Sequence, residues 1–295
     1  MEFVSSPQLA QTEISFTVGT EEWQRSALRT STSASATEKT ISPTFDHRSL
    51  HMAVHRTLGG LAEKFLRLRA HSSTRSAVAV IGAGCCALPA NLLCTFPSSL
   101  SVHAVEPAQE VLDIADSHFG MAQFPADRLV RHAVDGAAFI RRFPASRYDV
   151  IIIDAFESAP SEELAKIADL ARGAAGVDSA YFEEEDGDGL PAVLAPPLSL
   201  LDHWQQWAHA LRPSPSDPSG APGGLLAVNA YGPVAWIEHV RAGIEQSGLY
   251  CPVRWTDTAS AAELQSLGPM DSRNVVLSSM LRQDAEYFEK YFKKL

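Results

Sequence analysis

From residue 78 onward, short apolar runs alternate with amphipathic stretches, and this rhythm predicts strands and helices in turn. Strands are expected at 78–82, 101–106, 129–134 and 148–154, with helices at 87–95, 108–118 and 136–143 between them. Such an alternation builds βαβ units with right-handed crossovers and helices on both faces of a mostly parallel sheet. After residue 154 the rhythm loosens into a helix-like SEELAKIADLARG, the acidic run EEEDGD and the helix PLSLLDHWQQWAHALR. A loop, PSPSDPSGAPGG, leads into the strand LLAVNAYG, then a helix near 233–247, a strand at CPVRW, a helix at 259–266 and the strand NVVLSSM. These bring the expected sheet to seven strands. The breaks at 155–198 and 213–224 read as insertions rather than domain boundaries. Trp204 and Trp207 suit helix packing, and the last helix places Tyr287, Phe288, Tyr291, Phe292 and Leu295 on one face to dock on the core.

Upstream, Ile14, Phe16 and Val18 alternate ahead of a glycine, which predicts a β-hairpin within 13–30, followed by a polar linker at 31–42. The chain thus divides into a small 1–44 segment and one α/β domain at 45–295. Leu50, Val54, Leu58, Leu61, Phe65 and Leu68 recur at helical spacing just before the first core strand, where a helix would cover the ligand site.

Chemistry concentrates at the ends of the predicted strands. The first passes through Gly82-Ala83-Gly84 into a helix, a turn that allows backbone to approach a nucleotide-like ligand. Glu106 closes the second strand, near the roughly 20-residue spacing that sets a carboxylate on a ribose hydroxyl pair. Asp135 follows the third strand and Asp154 closes the fourth. In open α/β sheets, ligands bind outside the carboxyl ends of the strands, so the four features belong to one site. Gly82, Gly84 and Ala87 also satisfy the G-x-G-x-x-A form of nicotinamide-binding domains, which stays open as a competing cofactor class.

A net charge of −11 with a pI near 5.3 argues against nucleic acid or an anionic membrane as partner, and favours a basic protein segment or a cationic amine. Cys85, Cys86, Cys94 and Cys251 lack metal or redox spacing and are expected as buried thiols in a reducing compartment. The start carries no basic, apolar leader and no run approaches a membrane span, so a soluble, cytoplasmic protein is expected. His47, His51 and His55 fall at spacings that would share a helix face, without H-E-x-x-H or a suitably spaced carboxylate, so lid or surface roles and no metal are expected. The run Glu183–Asp188 reads as a solvated loop or as a docking element for a basic substrate.

The series IGAGCCALP, VEPAQEVLDIADSHFG, DRLVRHAVDGAAFI and YDVIIIDAFES resembles class I S-adenosylmethionine-dependent methyltransferases, in the branch that shares the spermidine synthase fold. The resemblance covers roughly residues 45–280 and implies a Rossmann-like sheet. The GxGxxxLP form is most similar to methyltransferases that modify translation elongation factor 1-alpha on a lysine or its N-terminus. By this resemblance Gly82, Ala83 and Gly84 would pass under the methionine part of the cofactor. Glu106, with Pro107 beside it, would take the ribose hydroxyls. Asp135 with Gly136 would meet the adenine, and Asp154 would stand at the reacting centre as the catalytic residue. His51 and Met52 would close the site from above.

The implied activity is methyl transfer to an amine, on a protein lysine or N-terminus, with S-adenosylhomocysteine as product and no metal. Aminopropyl transfer from decarboxylated S-adenosylmethionine is the second reading. Polyamine synthases of this fold carry an Asp where Cys85 stands and a paired D-x-x-D where this chain has Asp154-Ala155-Phe156-Glu157, so Glu157 would have to replace the second carboxylate. A noncatalytic interaction protein of the same fold is the third.

Overall fold

The computed structural model describes residues 44–69, 75–142, 147–155, 203–213, 223–255 and 272–292, with short strands at 2–3, 6–10, 15–17, 157–158 and 194–195. The core sheet is built from β1 (Ser76–Ile81), β2 (Leu100–Val105), β3 (Leu129–His132), β4 (Val150–Ile153), β5 (Leu225–Pro233), β6 (Leu249–Tyr250), β7 (Val253–Trp255) and β8 (Ser272–Leu281). The strands lie in the order β6-β8-β5-β4-β1-β2-β3, with β7 also on β8. β1 to β5 pair in parallel, whereas β8 runs antiparallel to β5 and to β6 and β7.

β6 and β7 keep one register against β8, from Leu249 opposite Leu281 to Val253 opposite Leu277. They are one edge strand interrupted at Cys251-Pro252, where proline has no N–H to donate. The sheet is therefore seven-stranded and mostly parallel, as the apolar pattern predicts.

Parallel strands buried on both sides explain the near-continuous apolar runs. Val78, Val80, Val102, Ala104, Val150 and Ile152 face one layer, with α1 (Ala53–Arg69), α2 (Ala87–Thr95), α3 (Gln109–His118) and α7 (Ala285–Phe292). Ala79, Ile81, Val105, Ile151 and Ile153 face the other, with α4 (Gly136–Arg142), α5 (Trp204–Ala210) and α6 (Val234–Gln246). Trp204 and Trp207 are buried in that second layer, and Phe288 of α7 is buried in the first with Tyr287 and Tyr291 packed beside it.

At the amino end of the sheet the buried Asp149 accepts the Ala77 N–H at 2.8 Å and faces Arg69 and Arg212, both at 3.3 Å. This fastens α1, β1 and the segment after α5 together.

α1 begins at Ala53, so Leu50 precedes it and packs on the core from outside the helix. His47 and His51 also lie before it, and the three histidines do not share a helix face. Asn91 Nδ2 donates to the carbonyls of His47 and Arg48 at 3.2 and 2.8 Å, which holds that segment in a turn rather than in a further helical turn. Ser15–Thr17 pairs antiparallel with Thr44–Asp46. The rest of the 13–30 hairpin, the 31–42 linker, the helices at SEELAKIADLARG and 259–266, the Glu183–Asp188 run, most of the loop at 213–224, Phe292's side chain and Leu295 lie outside the described residues.

A histidine pair on β2 and β3 makes stability depend on pH. His103 Nδ1 lies 3.0 Å from His132 Nε2, stacked at 5.1 Å and edged by Phe139 and Tyr148. Burial, then the Arg147 charge, brings His103 down to about 4 from its ordinary 6.5, and burial lowers His132 as well. The unfolded chain therefore takes up protons first, and stability is lost as pH falls from 6.5 toward 4. A shift of that size is worth a few kcal/mol. Melting temperatures recorded between pH 7 and pH 4 are expected to fall steeply over that window, and less steeply in His103→Phe.

Candidate functional site

The sheet reverses its winding between β1 and β4, which places a crevice at their carboxyl ends where ligands of open α/β sheets bind. Gly82 leaves β1 at φ +78° and donates its N–H to Val105 O of β2, as Ala83 does. Its missing side chain is essential to the packing: a Cβ there would lie 2.3 Å from Asp154 O and 2.8 Å from Ala155 Cα. The glycine turn and the end of β4 thus touch backbone to backbone. The turn passes through Cys85 and Cys86, the latter in the left-handed region at φ 62°, and enters α2 at Ala87. Both thiols are buried, and burial pushes Cys85 up to about 11 and Cys86 to about 12, so neither is a nucleophile at neutral pH.

Glu106 stands just past β2 and its half-buried carboxylate reaches back to the turn. Oε2 accepts the Gly84 N–H at 3.1 Å and Oε1 the Ala108 N–H at 3.2 Å. Burial raises its pKa above the ordinary carboxylate value, partly offset by those two hydrogen bonds. Each oxygen keeps a second lone pair for a ligand hydroxyl. Pro107 is exposed beside it and Ala83 is buried beneath the turn. Asp135 is exposed at the start of α4, where Oδ1 accepts the Ala138 N–H at 2.7 Å beside Gly136, leaving Oδ2 to the solvent side.

Asp154 is more enclosed. Its Oδ2 lies 2.9 Å from His55 Nε2 of α1, and its Oδ1 accepts the Asn229 Nδ2–H of β5 at 2.7 Å. Asp154 N donates to Ile81 O at 2.8 Å, which ties the carboxylate to the same turn as Gly82. His51 is exposed, and its carbonyl accepts from Arg56. Met52 packs against the first-layer core. The residue of α1 that meets Asp154 is His55, one turn further on. Glu157 lies in the strand Glu157–Ser158, paired with Leu194–Ala195, and its side chain is outside the described residues.

Sequence reasoning missed Asn229 and the pairing of His55. The one signal for Asn229 is a lone amide inside the apolar run LLAVNAYG, since a buried polar side chain in a core strand needs a partner. Among the described residues no cluster of three or more metal-ligating side chains occurs, and no helix is long and apolar enough to cross a membrane.

No protein-family model matches the sequence, and no curated protein sequence matches it. Among solved structures the fold is similar to that of a probable spermidine synthase from Corynebacterium glutamicum, with a TM-score of 0.53 at 17% identity over 83% of this chain and 75% of that one. Human methyltransferase-like protein 13 in complex with SAH aligns at a TM-score of 0.47 and 19% identity, over 82% of this chain and 91% of that one. Spermidine synthase from Thermotoga maritima aligns at 0.44 and 14%, over 77% of this chain and 59% of that one.

Proposed function

We propose that the chain is an S-adenosylmethionine-dependent transferase that methylates an amine on a basic protein, at a lysine or an N-terminus. The observation that carries this reading is the acidic rim: Glu106, Asp135 and Asp154 follow the carboxyl ends of β2, β3 and β4, and Glu106 already accepts the Gly84 N–H of the glycine turn. A dinucleotide would bring its pyrophosphate to that turn and helix start, against carboxylates. S-adenosylmethionine carries no phosphate, has a cationic sulfur and ammonium, and offers a ribose and an adenine amino group to acidic acceptors. Methyl transfer needs an in-line approach to the methyl carbon in a desolvated site rather than elaborate acid–base machinery. The buried, neutral Cys85 is no substitute for the loop carboxylate of polyamine synthases, which favours methyl over aminopropyl transfer. The charge of −11 suits a basic protein acceptor.

Thermal stabilisation of the purified protein by S-adenosylmethionine, S-adenosylhomocysteine, decarboxylated S-adenosylmethionine and NAD, at matched concentrations, tests the reading. A ligand at 100 times its Kd adds ~2.7 kcal/mol, a readily measured shift. Stabilisation by the first two is expected. Preference for the decarboxylated compound would move the assignment to aminopropyl transfer, and preference for NAD would overturn it.

Glu106→Gln is expected to weaken S-adenosylmethionine binding by about 10- to 100-fold, the ~1.5–3 kcal/mol of a hydrogen bond to a charged group. Since Glu106 accepts its proton above the usual carboxylate range, wild-type affinity should fall on mild acidification while the variant's stays flat. Calorimetric titration at several pH values checks both.

A further inference from the structure

Asp154 does not meet the crevice as an unengaged carboxylate. Both of its oxygens are taken up by side chains from other elements, His55 from α1 and Asn229 from β5, which are only 7% and 2% exposed. An ionised carboxylate accepts and never donates, so it fixes the imidazole as the Nε2–H tautomer and leaves the lone pair on Nδ1. Nδ1 makes no hydrogen bond among the described residues. A histidine tied through one nitrogen to a carboxylate is ready to take a proton at the other.

We propose that His55 is the general base of the transfer: Nδ1 removes the proton from an acceptor ammonium, while Asp154, steadied by Asn229, orients the ring and balances the imidazolium. This rests on the reading of the site as an S-adenosylmethionine-dependent amine methyltransferase. A lysine or N-terminal ammonium has no lone pair and must lose a proton before it can attack. Both oxygens of Asp154 are already engaged by His55 and Asn229, whereas His55 Nδ1 keeps an open lone pair, so His55 suits that task better than Asp154 itself.

In the step, the N–H bonding pair stays on nitrogen and its proton goes to Nδ1. The freed lone pair forms the N–CH3 bond as the C–S bond breaks, and the C–S electrons stay on sulfur. The sulfonium becomes a neutral thioether, the acceptor becomes a methylammonium, and the imidazolium returns its proton to water. Two positive charges enter and two leave, with no further reactant.

The test uses the full chain in three measurements. Calorimetry establishes S-adenosylmethionine and S-adenosylhomocysteine binding. Long-range proton–nitrogen spectra of histidine-labelled protein with S-adenosylhomocysteine, assigned through His55→Gln, report the tautomer. Methyl transfer from tritiated S-adenosylmethionine to a library of lysine peptides with free N-termini reports activity.

The expected results are a protonated Nε2 with a bare Nδ1, and a loss of about 100-fold or more in rate in His55→Ala, within the range of general base catalysis. S-adenosylhomocysteine affinity should hold, and added imidazole should restore part of the rate in His55→Ala. His55→Gln, which keeps a donor toward Asp154 and so preserves the packing, should be equally slow and gain nothing from imidazole.

A protonated Nδ1, or wild-type rates in His55→Gln, would overturn the base while leaving the transferase reading intact. A wild type that binds S-adenosylmethionine yet methylates no peptide would overturn the ammonium acceptor. Failure to bind either cofactor form would overturn the transferase reading beneath the proposal.

Discussion

Gly82→Ala is expected to cost roughly 2–5 kcal/mol of stability and to abolish cofactor binding, from ~1–2 kcal/mol for a left-handed alanine and ~1–3 for overpacking. The residue sits at φ +78°, and the new methyl would meet Asp154 O at 2.3 Å, Asp154 C at 2.7 Å and Ala155 Cα at 2.8 Å. All three are backbone atoms, so no rotamer change relieves the contact, and the end of β4 must move with Asp154 on it.

Gly248→Ala is the control. Gly248 has φ +90° but nothing among the described residues within 4 Å of the added carbon, so it should show the backbone strain alone, about 1–2 kcal/mol. Thermal melts of the two variants, with and without S-adenosylhomocysteine, separate strain from collision. Equal costs in both would show that β4 yields to the methyl and that the contact at Gly82 is loose.

Asp154→Asn should do the opposite: leave the fold nearly intact and remove the chemistry. The variant amide can still accept from His55 but presents N–H where Asn229 now donates. Asn229 Oδ1 is buried without a partner among the described residues, and a flip of the Asn229 amide would turn that oxygen toward the new donor. Stability is therefore expected to change by only about 1 kcal/mol, because the flip leaves one buried Asn229 atom unpartnered in either protein, Oδ1 before it and Nδ2 after it. The rate of methyl transfer is expected to fall ~100- to 10,000-fold, because the imidazole loses its orienting charge.

Cofactor affinities should separate as well. S-adenosylmethionine is cationic at sulfur and S-adenosylhomocysteine is not, so the variant should lose about tenfold for the former, some 1.4 kcal/mol, and little for the latter. Calorimetry on both compounds reads this without an acceptor. Equal losses would place Asp154 away from the sulfur.

The contrast between these two positions reflects what a linear sequence can carry. Gly82, Glu106, Asp135 and the helix starting at Ala87 were legible because the turn, the strand end and the helix start are each set by residues a few places apart. Glu106 lies a single βα unit away from the turn it binds, at a spacing dictated by strand and helix lengths. The partners of Asp154 have no such regularity. His55 lies 99 residues before it and Asn229 75 residues after it, and nothing periodic links those positions. The histidine series at 47, 51 and 55 even suggested a shared helix face, which fails because α1 starts only at Ala53.

Sequence by itself determined the α/β class, the seven apolar strands, the glycine turn and the carboxylates at the strand ends. Periodicity and turn sterics act between near neighbours and survive in any packing that buries the apolar runs. Tertiary structure decided the strand order, the antiparallel β8, the interrupted edge at Pro252, and above all that α1 lies where His55 meets Asp154. Those outcomes depend on which apolar faces cover one another across a hundred residues. Only the folded chain brings His55, Asp154 and Asn229 within hydrogen-bonding distance.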